Sequence, residues 1–262
     1  MKLRIFQVDA FSERLFSGNP AAVVPLEDWL ADSLLQSIAE ENNLAETAFF
    51  VKRENNYELR WFTPKQEVPF CGHATLATAF VLTSVLDIEK GPTVFKTKIG
   101  NVSVTTKSGL IEMTFPKLSS VECQPPIELV EGLGIAPDEV FRVDDDPNYY
   151  AIFADENVVR SNNPNLGILE KLHPYGVVIS APGTDFDIVS RCYAPGFGIP
   201  EDPVTGSIHS VLVPYWARKL KKESIKAFQA SRRGGVLYCR ERDDDVIVAG
   251  YATKYMEGII EI

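Results

Sequence analysis

The sequence predicts an α+β fold made of two similar halves, and three observations carry that expectation. Short strand-like runs outnumber helical ones along the whole chain, which argues against a parallel doubly wound sheet. A strand–loop–helix unit occurs twice, and the polar stretch LSSVECQPP (118–126) between the two copies reads as a linker.

Taken in order, KLRIFQVDAF and AAVVPL cluster or alternate β-branched and apolar residues and read as strands. EDWLADSLLQSIAEENN places Trp29, Leu30, Leu34, Leu35 and Ile38 on one helical face and ends at Asn42-Asn43. ETAFFVK, YELRWFTP, TVFKTKIGNVSVTTKSG and LIEMTFP return to strands between Gly, Pro and Asn turns, and this β-rich half closes near Pro116. The second half restarts at IELVEGLGI, and YYAIFAD, GVVISAP, DIVSRCYAP, GVLYCRE and DVIVAGYAT are strand-like. The expected domains are 1–117 and 118–249, with 250–262 a candidate completion of the first.

The repeated unit is specific in its details. PFCGHATLATAFVL (69–82) and PVTGSIHSVLVPYW (203–216) both begin Pro-x-x-Gly, follow the glycine with a polar residue (His73, Ser207), and turn apolar at helical spacing. Each follows an Arg-x-aromatic-small-Pro run, RWFTP (60–64) and RCYAP (191–195). The second connecting loop is three residues longer and carries Glu201 and Asp202; Cys71 of the first copy is Thr205 in the second. Pro214 removes an N–H inside the second helix and predicts a kink.

Helix starts leave backbone N–H groups without intrahelical partners and carry the positive end of the dipole, so they suit carboxylates and phosphates. Gly72-His73 and Gly206-Ser207 are therefore candidate ligand contacts that would converge on one cleft if the halves face each other; the plainer reading is two good helix caps. Glu46, between a helix end and an apolar strand, is a candidate general base if partly desolvated, or a surface residue at a strand start. Asp202, just before Pro203, is a turn residue or a second acid–base group.

Bulk properties narrow the partners. The 262 residues are 45% hydrophobic and 24% charged, as in ordinary globular proteins, with net charge −10. That balance excludes a nucleic-acid surface, and RKLKK (218–222) fits a solvated helix end. No 18-residue apolar run is present and the N-terminus lacks a signal-type apolar core, so no membrane partner is expected. The four cysteines are scattered without a C-x-x-C pair, which fits reduced thiols in the cytoplasm. Gly-rich nucleotide loops are absent, and Cys71, His73, His209 and Asp202 show no recognised ligand spacing, so neither cofactor nor metal is expected. His209 reads as a packed residue supporting the site and His173 as a loop residue.

DAF…FSGNPAAVV (9–24), NNLAETAFF (42–50), CGHATLATA (71–79), EDPVTGSIHS (201–210) and QASRRGG (229–235) follow in order. Together they resemble the PhzF family of phenazine-biosynthesis-like isomerases over essentially the whole chain. The resemblance implies a diaminopimelate epimerase-like fold: two pseudo-symmetric domains, each a β-sheet wrapped round a central helix, with the active site between them and a homodimer as the assembly. Epimerase-type relatives use two thiols, one at each central helix start. Here Thr205 replaces one, and an alcohol cannot act as the carbon base a thiolate is. The family pattern instead places proton transfer on Glu46. By position, His73, Asp202 and Ser207 match groups that bind substrate or assist proton movement, and Asn19 with Pro20 would shape the cleft near Glu46. QASRRGG departs from the Gln-Gly loop of the phenazine enzymes and resembles the uncharacterised branch. The resulting expectation is a cofactor-independent isomerase moving a proton between carbons of a small carboxylate. The alternatives are a one-base epimerase using Cys71 and a non-catalytic binding protein on an enzyme fold.

Overall fold

A computed structural model describes residues 1–262 apart from 55, 89, 90 and 145. The fold is α+β and divides into two compact units, Met1–Thr114 with Ala249–Ile262, and Phe115–Val248.

The first unit contains β1 (Lys2–Ala10), β2 (Asn19–Leu26), α1 (Asp32–Asn42), β3 (Glu46–Lys52), β4 (Tyr57–Phe62), β5 (Glu67–Val68), α2 (Gly72–Phe80), β6 (Thr93–Thr97), β7 (Gly100–Lys107) and most of β8 (Leu110–Pro116). The second contains β9 (Val121–Glu122), α3 (Ile127–Leu133), β10 (Glu139–Val143), β11 (Asp146–Ile152), α4 (Glu156–Ser161), α5 (Leu166–Leu169), β12 (Gly176–Pro182), β13 (Ile188–Ala194), β14 (Ile199–Asp202), α6 (His209–Leu220), β15 (Ser224–Gln229), β16 (Gly235–Arg242) and most of β17 (Asp245–Gly250). The C-terminal β18 (Ala252–Glu261) returns to the first unit, antiparallel to β1.

The two sheets repeat one topology. In the first, β1 pairs antiparallel with β2, β2 parallel with β3, β3 antiparallel with β4, β4 parallel with β6, and β6 antiparallel with β7. In the second, β10–β11, β11–β12, β12–β13, β13–β15 and β15–β16 follow the same order and the same directions. The short β5 and β14 each lie antiparallel on the strand before them.

In the first unit the apolar residues of α1 (Leu35, Ile38, Ala39) pack with Ala22 and Val24 of β2 and Phe49 and Val51 of β3. The alternate residues Ala21, Val23 and Ala48 are buried as well, as expected for strands covered on both faces. The other cover is α2, which packs on β1, β2 and β3 and is buried from His73 to Ala79. A helix buried on all sides is a core element. The second unit repeats this arrangement: α3, α4 and α5 pack with Ala151, Val177, Ile179 and Val189, while α6 is buried from His209 to Ala217.

Two sequence expectations shift. Trp29 and Leu30 precede α1, which starts at Asp32; they pack on its core from outside the helix, with the Trp29 indole donating to Glu58 Oε2 at 2.6 Å. The 118–126 stretch contains β9, which pairs with β10. Helix α6 continues through Pro214 to Leu220, its last turn tied by Arg218 Nε donating to the Pro214 carbonyl at 3.1 Å. The nine buried positions around Pro214 hold the helix together despite one lost backbone bond.

Candidate active site

Helix α1 ends at Asn43, in the left-handed region (φ 47°), with its N–H directed at the Ala39 and Glu40 carbonyls. Asn42 Nδ2 then donates to Thr47 Oγ1 at 3.1 Å. The Asn-Asn pair that stops the helix thus also sets how β3 begins. The first residue of β3 is Glu46, its side chain only 13% exposed.

Asn19 opens the parallel neighbour β2, two residues before the Ala21–Glu46 register pair, and is fully buried. Gly18 makes this return possible. Its φ is +71°, and a Cβ there would lie 2.2 Å from the Ala10 carbonyl oxygen. Only glycine tolerates both conditions. The preceding loop is held by Asp9 Oδ2, which accepts the Phe16 N–H at 2.9 Å.

His73 is the second residue of α2 and 6% exposed. Its Nδ1 lies 3.2 Å from Asn19 Nδ2 and 3.4 Å from Cys71 Sγ. In the neutral ring, with the Asn19 amide nitrogen donating, Nδ1 accepts and the hydrogen sits on Nε2; the charged ring carries a hydrogen on both nitrogens and takes the Asn19 amide oxygen at Nδ1 instead. Nε2 in turn lies 3.1 Å from Glu46 Oε2, at an angle that leaves both atoms without a well-directed hydrogen bond. Burial opposes charging the His73 ring, but Cys71 and Glu46 outweigh it and hold the ring above the usual histidine range. Burial, and then the Glu46 charge, push the Cys71 thiol up to about 11.

Glu46, Cys71 and His73 offer one potential metal-ligand atom each within 4.8 Å of one another. Cys71 approaches Nδ1 and Glu46 approaches Nε2. Contacts to opposite ring nitrogens form a row of hydrogen-bonding groups, whereas a chelate needs all donors converging on one point.

In the second unit the other half of the repeat is wired differently. Asp202 ends β14, and its Oδ2 accepts the hydroxyl hydrogen of Thr205, the residue in the place of the thiol. Gln229, fully buried at the end of β15, reaches this segment with both atoms of its amide. Its Oε1 accepts the Thr205 N–H at 2.8 Å, while Nε2 donates to Thr205 Oγ1 (3.1 Å) and to the Asp202 carbonyl (2.9 Å). His209 is fully buried with Nδ1 2.9 Å from the Thr205 carbonyl oxygen. Burial lowers its pKa to about 4.

The equivalence of the two helix starts is only partial. Gly72 is the first residue of α2, whereas α6 begins at His209, three residues after Gly206. Gly206 and Ser207 form a tighter turn, their carbonyls accepting the N–H groups of His209 (3.1 Å) and Ser210 (3.0 Å). Gly206 is buried and Ser207 half-buried. The structure thus groups Glu46, His73, Asn19 and Cys71 with Gly72 in the first unit, and Asp202 and Thr205 with Gly206 and Ser207 in the second.

Sequence reasoning missed two features. Arg60 grips Glu67 through two bonds of 2.8 Å, and Arg191 grips Glu201 through bonds of 2.7 and 3.0 Å. Each pair ties a strand to the short strand that precedes a helix start. The signal was present as Glu-x-Pro before each Pro-x-x-Gly (Glu67, Glu201), which absorbs the difference in loop length. The Gln229 clamp, 24 residues from Thr205, carried no local signal.

The chain resembles a probable proline racemase from Agrobacterium radiobacter K84 in fold, with TM-score 0.64 at 12% identity over 99% of this chain and 92% of that one. This places the fold in the racemase- and epimerase-like class. It matches the phenazine biosynthesis-like protein family (PhzC-PhzF) over residues 8–258. A Pseudomonas aeruginosa protein named an uncharacterised isomerase is 47% identical over 262 residues, covering 100% of both chains. The crystal structure of a PhzF-family protein from Enterococcus faecalis superposes with TM-score 0.96 at 39% identity, again over 100% of both chains. The chain belongs to the phenazine biosynthesis-like (PhzC-PhzF) family of isomerases.

Proposed function

We propose that the protein catalyses a cofactor-independent proton shift between carbons of a small carboxylate substrate, with Glu46 as both base and acid. Glu46 takes a proton from a carbon made acidic by an adjacent unsaturated or carbonyl-like group. The electron pair moves along the conjugated system, and the same carboxyl returns the proton at a different carbon, so atoms and charge balance within one substrate. The observation that carries this reading is the half-buried Glu46 carboxylate 3.1 Å from His73 Nε2, on a ring itself oriented by Asn19.

The other groups have supporting tasks in this reading. His73 fixes the place of the Glu46 carboxylate and orients substrate. The first-turn amides near Gly72 and the turn at Gly206 favour the delocalised negative charge of the intermediate. Asp202 orients substrate or protonates a heteroatom, and Ser207 binds the carboxylate. A positioned base contributes about 10²–10⁴-fold, so binding and fixed donors supply the rest of the acceleration. Cys71 as sole base is disfavoured: a thiol titrating near 11 is ionised at pH 7 in about one molecule in ten thousand. The reading also takes the protein to be cytoplasmic and a homodimer; no described helix is long and apolar enough to cross a membrane.

The test is Glu46→Gln, which keeps shape but removes the base. In D₂O, with a panel of cyclic and unsaturated amino and hydroxy acids followed by NMR, the unaltered protein incorporates deuterium at carbon and the variant does not. Full incorporation by the variant overturns the assignment.

A further inference from the structure

The replacement of a thiol by Thr205 has a structural counterpart that no motif announced. Thr205 Oγ1 has hydrogen-bonding neighbours in Gln229, Asp202 and the Cys192 thiol, and the chemistry of the two stronger ones, Gln229 and Asp202, fixes its direction. Gln229 Nε2 is a donor only, so it occupies a lone pair of Oγ1. The single hydroxyl hydrogen is then left for Asp202 Oδ2. The Gln229 amide cannot flip without cost, because its Oε1 is already needed by the Thr205 N–H and its Nε2 by the Asp202 carbonyl.

The adjoining turn adds a second tie: Ser231 Oγ donates to the Pro203 carbonyl at 2.7 Å and accepts the Gly234 N–H at 3.1 Å. QASRRGG, set aside as a departure from the phenazine enzymes, thus grips residues 202–205 at three points.

We infer that Gln229 is a positioning residue that acts through Thr205 to aim and polarise the Asp202 carboxylate. A cysteine at position 205 would serve this purpose poorly, since S–H is a weak donor and sulfur a weak acceptor. The hydroxyl that stands where the first copy of the repeat has the Cys71 thiol therefore serves as a support for the acid beside it. The functional meaning of this arrangement rests on the proposed role of Asp202, but the hydrogen-bond relay itself does not.

Among the described residues, several groups face Asp202 and its clamp. Cys192 of β13 is its register partner, and burial, then the Asp202 charge, raise that thiol. Glu201 is engaged by Arg191, and His209 approaches the Thr205 carbonyl from α6. Asp146 of β11 also acts on Cys192.

The experiment is a pH titration of the Asp202 side-chain carboxyl by ¹³C NMR in the full-length protein, which consumes no substrate. In Thr205→Val the midpoint moves to higher pH, because a donor to the ionised form is lost. Gln229→Glu gives the same direction, since the new carboxylate takes the Thr205 hydroxyl hydrogen and adds like charge. Thr205→Ser keeps the hydroxyl and titrates as the unaltered protein does. The inference fails if Thr205→Val, folded by circular dichroism, titrates unchanged, or if Thr205→Ser moves as far as Thr205→Val. A relay confirmed by NMR together with full deuterium incorporation in Asp202→Asn would instead overturn the role given to Asp202.

Discussion

His209 lies at the first turn of α6 with no exposed surface, and its chemistry sets an acid limit on the second unit. Its Nδ1–H donates to the Thr205 carbonyl, so the neutral ring carries its lone pair on Nε2, which is buried without a hydrogen-bond partner. Protonation would place a new N–H and a full charge at that unpartnered position. Burial accordingly depresses the folded-state value from 6.5 to about 4, the Thr205 carbonyl opposing it only in part. Between those values the unfolded chain binds a proton that the folded one does not, so stability falls as pH drops from about 6.5 and stops falling below about 4. A move from 6.5 to about 4 corresponds to about 3 kcal/mol, a large part of a typical folding free energy. Urea unfolding at pH 7, 5.5 and 4, compared between the unaltered protein and His209→Asn, isolates this contribution. The variant keeps a donor toward Thr205 and loses the titrating ring. It is less stable at pH 7 but loses about 3 kcal/mol less on acidification. Equal losses in both proteins would refute the buried neutral ring as the cause.

Gly18→Ala forces a left-handed non-glycine residue against the Ala10 carbonyl and costs at least about 2 kcal/mol by urea unfolding; a loss below 0.5 kcal/mol, about the surface-substitution range, would contradict that. Iodoacetamide labelling at pH 7, followed by peptide mass spectrometry, modifies Cys71 about a hundredfold more slowly than an ordinary cysteine, because its thiol titrates two units above 9.0; rapid labelling contradicts the buried thiol. Arg191→Leu strips Glu201 of a bidentate partner at 13% exposure and destabilises by about 2–3 kcal/mol, measured against Glu201→Gln and the double variant. A coupling energy near zero would remove the Arg–Glu tie from the account of β14.

Much of the candidate site was legible because its signals are local. The Asn42-Asn43 stop followed by an apolar strand placed Glu46 at a strand start, while its cover, which leaves the side chain 13% exposed, was decided by the fold. The two Pro-x-x-Gly runs located α2 and, with a three-residue offset, α6. The offset was hidden because a glycine followed by a polar residue suits a helix start and a tight turn equally well. Trp29 and Leu30 misled for a related reason: their spacing fits a helix face, but their packing is satisfied from the chain ahead of it.

The residue order alone determined the repeated β–loop–helix unit, the predominance of strands, and that Glu46 and His73 stand at the starts of a strand and a helix, because these depend on periodicity and turn chemistry over short distances. The tertiary structure decided the partners: that His73 stands between Asn19, Cys71 and Glu46, and that Gln229 directs Thr205 toward Asp202. The pairings of His73 with Asn19 and Glu46, and of Gln229 with Thr205, join residues tens of positions apart, and only the folding of each sheet around its buried helix brings them within hydrogen-bonding reach.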